Sequence, residues 1–232
     1  MNDRILTLAR QHAPCYLYEY DVMQRQVETL RRTFPRYDLL YSIKANPFPP
    51  VVRALAGLGL GADAASAPEM LLSRRCGMAR ADIFFSAAGK TDAALETAWD
   101  EGELIADSLG EVARIGTLCR KKGQRRAIGV RMNPAFGMGG AVGGPSKFGI
   151  NEEDLPQLKA LLEQLPVTVE GIHVHLRSQN LDADALGGCY RDSWALAKRV
   201  REALGCEMRY VNFGSGVGVA YDETFEQPMD LS

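Results

Sequence analysis

The stretch Leu39-Leu40-Tyr41-Ser42-Ile43-Lys44-Ala45-Asn46 sets the pattern of the chain: an apolar run of strand length stops on a lysine, and a helical pattern follows over 51–58. The same unit recurs downstream. Strands are predicted at 39–43, 61–65, 83–86, 104–107, 127–132, 169–175 and 209–213, seven in all. Helices are predicted between them at 51–58, 68–76, 92–99, 109–121, 155–164 and 184–204. Such alternation implies a parallel sheet covered by helices. Thr91-Asp92 and Ser108 stand where N-caps belong, and Gly77, Gly123 and Gly205 where helices should stop. The segment 133–145 carries five glycines without hydrophobic periodicity and reads as a long, mobile loop.

A closed (β/α)8 barrel takes eight strands and about 250 residues. With 232 residues and seven strands, the barrel expected here is incomplete and leaves an open edge. Upstream, Cys15-Tyr16-Leu17-Tyr18 reads as a further strand, followed by a helix over 21–33. The expected organisation is a lead-in strand and helix in 1–35 and a barrel in 36–232. The lead-in strand needs a partner sheet, which points to a truncated chain whose missing downstream domain supplies one.

Composition narrows the function classes. The chain is 46% hydrophobic and 24% charged, with a net charge of -2 and no block of one sign, which argues against a nucleic-acid surface. No apolar run approaches the roughly eighteen residues of a membrane span. The N-terminus lacks the apolar core of a secretory signal, so a cytoplasmic protein is expected. Five scattered cysteines without a Cys-x-x-Cys pair favour neither a disulfide framework nor a zinc site. The basic cluster of 120–126 reads as a solvated helix end.

Ligands of parallel α/β folds gather at the carboxyl ends of the strands. The first strand ends on Lys44. Alone this reads as a solvated cation; its apolar approach would carry the amine into a barrel mouth where desolvation favours a neutral nucleophile. The second strand leads through Asp63 to Glu69, which alone read as a strand-end carboxylate and a first-turn helix residue. The sixth carries His173 and His175 on one face, without the third ligand that a metal would need. The seventh ends in Asn212-Phe213-Gly214-Ser215-Gly216-Val217-Gly218, whose bare amides suit a phosphate. A dinucleotide reading of these glycines lacks the following helix and acidic residue.

Taken in order, segments 41–46, 61–69, 85–90, 107–108, 131–134, 146–150, 173–179 and 214–218 resemble the fold-type III pyridoxal-phosphate decarboxylases, the family of diaminopimelate, ornithine and arginine decarboxylases, whose barrel is of the alanine racemase type. The resemblance implies pyridoxal 5'-phosphate as cofactor, an L-amino acid substrate and a homodimer; no metal is expected, for want of that third ligand. It makes Lys44 the Schiff-base lysine, stacks His175 on the cofactor ring, assigns the phosphate to Ser178, Gly214, Ser215 and Gly216, and gives Asp63 and Glu69 the role of the acidic pair. Leu176-Arg177 departs from the family's His-x-Gly-Ser-Gln, and Asn212 to Gly216 from its Asp-x-Gly-Gly-Gly. The eighth-strand Glu-Pro-Gly-Arg and the C-terminal β-domain have no counterpart before Ser232, so the chain alone is expected to be inactive. Two alternatives share the barrel: a non-catalytic single-barrel protein of pyridoxal-phosphate homeostasis, and an amino acid racemase.

Overall fold

The computed structural model describes residues 3–221, 227 and 229. Its strands are β1 (Leu40–Ser42), β2 (Gly61–Ala64), β3 (Ile83–Phe85), β4 (Glu103–Ala106), β5 (Arg126–Asn133), β6 (Ile150–Asn151), β7 (Val167–His173) and β8 (Tyr210–Asn212). Seven lie side by side in the order β1-β2-β3-β4-β5-β7-β8, and β6 pairs with the end of β5. All these pairings are parallel. The seven expected strands are all present. The two residues of β6 are too few to show a period.

The helices are α1 (Asp3–His12), α2 (Tyr20–Thr33), α3 (Pro49–Gly57), α4 (Ala67–Arg75), α5 (Asp92–Ala98), α6 (Leu109–Lys122), α7 (Leu155–Glu163) and α8 (Ala183–Leu204). Local chemistry sets their ends. Thr91 and Ser108 accept the amides of Ala94 and Glu111, and Asp182 accepts that of Ala185 at the start of α8. Gly123 and Gly205 close α6 and α8 in the left-handed conformation. Outward residues of the strands, among them Ile83, Leu104, Ile128, Val130 and Ile172, are fully buried against Ile115, Leu158 and Leu196 of the helices. Each such side chain contributes about 1.5–3 kcal/mol by leaving water.

The sheet curls. Phe84 of β3 meets Tyr210 of β8 edge to face at 5.1 Å, although β4, β5 and β7 lie between them in the sheet. Their shared side is therefore the barrel interior. Room for Tyr210 exists because residues 129 and 171 are glycines: a Cβ at either would sit 2.3 Å from an atom of its side chain. Between β1 and β8 there is no strand pairing. Aromatic rings bridge that gap instead: Tyr37, ahead of β1, lies 5.6 Å from Phe213, just after β8, and Tyr190 of α8 packs on Phe213 at 4.9 Å.

Two expectations need correction. Cys15-Tyr16-Leu17-Tyr18 forms no strand, and Tyr16 is 90% exposed. It pairs with no described strand, and side chains anchor it instead: Asn46 donates to the Tyr18 hydroxyl at 3.0 Å, and Tyr18 packs on Phe48. Arg126 is not part of a solvated helix end. It opens β5, buried beneath the Trp99 ring, and donates to the carbonyls of Trp99 and Gly102. The glycine-rich segment after β5 is a long loop, within which lie a 3-10 turn at Met138–Gly140 and an antiparallel bridge between Phe136 and Val142. Among the described residues no helix is long and apolar enough to cross a membrane.

Candidate functional site

Side chains two apart on a strand share a face, and register carries that face from strand to strand. Gly129, Gly171 and Tyr210 are register partners on the inner face, and Ile105 pairs with Gly129. Two residues nearer the carboxyl ends, the inward positions are Asp107, Arg131, His173 and Asn212. Ser86 holds the equivalent place beyond Phe84, and Asp63 lies across from Ser42. Each of these strands thus turns polar at its inner carboxyl end. Such residues are tolerated there where they answer one another or a ligand.

Most answer one another. The Arg131 guanidinium donates to Asp107 at 3.2 Å and lies over the Phe148 ring at 4.7 Å. Asp63 accepts hydrogen bonds from Ser42, at 3.4 Å, and from Ser86. Glu69 serves the start of α4: its carboxylate accepts the Ala65 amide at 2.7 Å while Ser66 accepts the amide of Glu69. This reciprocal cap holds the turn that follows Asp63.

Two lysines stand near these strand ends, and their surroundings separate their uses. Lys90 is buried, and its ammonium donates to Glu111 at 2.6 Å, to the Ile105 carbonyl at 2.6 Å and to the Ala87 carbonyl at 2.5 Å. Burial pushes the Lys90 ammonium down and the Glu111 carboxyl up, each opposed by the other's charge. All three protons are engaged, which leaves no nucleophile. Lys44 lies in the 3-10 turn Ile43–Ala45 after β1, and its amine has no partner among the described residues. The expectation of a desolvated amine is not met: Lys44 is exposed, because the barrel is open beside β1.

His175 follows β7 and is half-buried. Its Nδ1–H donates to the Gly214 carbonyl at 2.8 Å, so in the neutral ring Nε2 accepts from the Ser178 hydroxyl at 3.3 Å. The loops 174–180 and 212–218 run side by side, joined by Val174 N–H to Asn212 O, Asn180 N–H to Gly216 O and Gly218 N–H to Asn180 O. Gly214, Ser215 and Gly216 have φ of 62°, 59° and 111°. A Cβ on Gly214 would lie 2.5 Å from the Val174 carbonyl and 2.7 Å from the His175 Cβ, so His175 seats against bare backbone. The amides of Ser215 and Gly216 have no partner among the described residues. A cleft of about 420 Å³ lies at the opposite end of the barrel, between Glu103, Arg126, Glu170 and Arg209, and contains none of these groups.

The predicted Lys44, Asp63, His175, Ser178, Gly214, Ser215 and Gly216 thus lie at the carboxyl end of one sheet, with Glu69 supporting the turn beside them. Missing from the predicted set were His173 and the pairs Asp107–Arg131 and Lys90–Glu111. The signal for them lay in the sequence, as a polar residue at the last inward position of successive strands. Among the described residues no cluster of His, Cys, Asp and Glu suits a metal ion. A free amine, an imidazole face and amides unpaired among the described residues fit a planar aldehyde bearing a phosphate.

The family described as "Pyridoxal-dependent decarboxylase, pyridoxal binding domain" matches residues 20–231. The chain is 32% identical to an L-glutamyl-[BtrI acyl-carrier protein] decarboxylase of Niallia circulans, over 96% of this chain and 54% of that protein. It is 29% identical to a diaminopimelate decarboxylase of Aquifex aeolicus, over 93% of this chain and 53% of that protein. The crystal structure of diaminopimelate decarboxylase from Helicobacter pylori complexed with L-lysine superposes with a TM-score of 0.84 at 27% identity, over 99% of this chain and 60% of that one. The chain therefore spans about half the length of the curated relatives it matches. Its barrel, its open carboxyl-end mouth and these likenesses agree: the chain belongs to the pyridoxal-binding domain family of the pyridoxal-dependent decarboxylases.

Proposed function

We propose that this chain holds pyridoxal phosphate for the decarboxylation of an L-amino acid, with 36–232 as the cofactor domain, 1–35 as its lead-in, and the whole enzyme a cytoplasmic homodimer. The observation that carries the reading is the contrast between the two strand-end lysines: Lys90 is fully engaged, whereas Lys44 offers a free amine beside the polar layer.

Lys44 is the attachment point. His175, fixed by Gly214 and Ser178, presents its ring face, and the amides of Ser215 and Gly216 with the Ser178 hydroxyl take the phosphate. Asp63, held by Ser42 and Ser86, places a carboxylate on the strand beside Lys44, and Glu69 keeps the following turn in shape. Pyridoxal phosphate bound here supplies an electron sink for the pair released when the carboxylate leaves. The substrate class is a diaminopimelate-like or carrier-bound amino acid, in keeping with the names of the relatives.

The test is borohydride trapping of pyridoxal phosphate on the chain, followed by peptide mapping, in the wild type and Lys44→Ala. Label on the Lys44 peptide that disappears in the variant is expected; label elsewhere, or none, would sink the reading. Carbon dioxide release from a substrate panel, measured on the full-length protein, then separates decarboxylation from racemization.

A further inference from the structure

Among the described residues nothing answers the ring of His173 in the polar layer. It closes β7, 6% exposed, with Arg131 as its register partner on β5 and Asn212 on β8. Its Nδ1 is sealed from solvent with no hydrogen-bond partner among the described residues. Nε2 has no partner among the described residues either, but is not sealed, so it is the ring nitrogen that a ligand can reach.

This asymmetry fixes the state of the ring. An imidazolium would need an acceptor at both nitrogens, and Nδ1 has none. Burial first, then the positive charges of Arg131, His175, Lys90 and Lys44, holds its pKa down to about 3. A neutral ring has one proton to place. A buried N–H left without an acceptor is the worse orphan, so the lone pair stays at Nδ1 and the proton goes to Nε2. The nearby polar groups are already committed: Asp107 to Arg131, Asp63 to its two serines, His175 to Gly214 and Ser178.

We propose that the Nε2–H of His173 is a further cofactor contact, a hydrogen-bond donor to the ring hydroxyl oxygen of bound pyridoxal phosphate. The proposal rests on the pyridoxal-binding reading above. The phosphate has its own donors in the 214–216 turn; of the two acceptors on the pyridine ring, the nitrogen and the hydroxyl oxygen, the oxygen is the one that carries anionic charge for an N–H at the inner carboxyl end of β7 to meet. A neutral donor steadies that oxygen as an anion without adding a cation to a layer that already holds Lys44, Lys90 and Arg131. A neutral imidazole used in this way is an established device for polarising oxygen.

The experiment is fluorescence titration of the chain with pyridoxal phosphate and, separately, with pyridoxal, for wild type, His173→Leu and His173→Gln. A hydrogen bond to a charged group corresponds to roughly 10- to 100-fold in affinity. Loss of that order for both ligands is expected in His173→Leu, with partial recovery in His173→Gln, which keeps an N–H donor. The pH midpoint of the bound cofactor's visible absorbance should rise in His173→Leu, since the anion loses a donor. Affinity within twofold of wild type overturns the proposal, and a loss confined to pyridoxal phosphate overturns it in favour of a phosphate contact. Wild type that binds neither ligand removes the underlying reading as well. If His173→Leu fails to fold, nitrogen-15 NMR of wild-type His173 decides: Nε2 should carry the proton and shift when cofactor is added, and no shift refutes the contact.

Discussion

Replacing Lys90 by Met removes three hydrogen bonds in one step, because every ammonium proton is engaged. The Lys90 side chain is 0% exposed and that of Glu111 2%, so the variant strands a carboxylate where water cannot reach it. Breaking a buried pair from one side costs about 3–5 kcal/mol. For a domain of this size that lowers Tm by roughly 6–20 °C. The pH dependence follows in sign. Without Lys90 the Glu111 carboxyl, already raised by burial, rises further, since the opposing cation is gone. A raised carboxyl in the folded state leaves no penalty below the unfolded value of about 4.3, and the penalty grows as pH rises toward the folded value. The variant should therefore be weakest near neutrality and recover toward acid. Lys90→Met/Glu111→Met should regain much of the loss, less about 1–3 kcal/mol for the carbonyls left unpaired. Urea denaturation across pH is the assay. A Lys90→Met loss under about 1 kcal/mol, or a double variant no more stable than the single, would refute the account.

Gly214→Ala should lower affinity for pyridoxal phosphate by at least about tenfold, because the left-handed conformation costs Ala roughly 1–2 kcal/mol and its Cβ meets His175; titration with unchanged affinity would count against the seating of His175. Tyr210→Phe should be stabilising by about 1 kcal/mol, raising Tm by roughly 2–4 °C, since the Tyr210 hydroxyl is buried without a partner among the described residues; calorimetry showing a fall would imply a hydrogen bond at that site.

Much of the fold was legible because strand and helix periods are local. The caps at Thr91 and Ser108 and the stops at Gly123 and Gly205 lie where side-chain type alone places them. Cys15 to Tyr18 misled for the converse reason: a strand-like composition becomes a strand only when it pairs with another strand, and 15–18 pairs with none that is described. Arg126 misled because adjacency to a basic helix end in sequence says nothing of the Trp99 carbonyl that tertiary packing delivers to it.

The sequence by itself determined a parallel barrel whose strands end on chemistry, with Lys44, Asp63, His175 and the 214–216 turn at one rim, since alternation and order along the chain suffice for that. Tertiary structure decided which groups remain available there. Lys90 and Lys44 look alike as strand-end lysines until distant segments bring three acceptors to the one and, among the described residues, none to the other. His173 and His175 share a face until burial silences Nδ1 of the first and Gly214 fixes the second. Availability depends on which partners converge in space, and no local period encodes that.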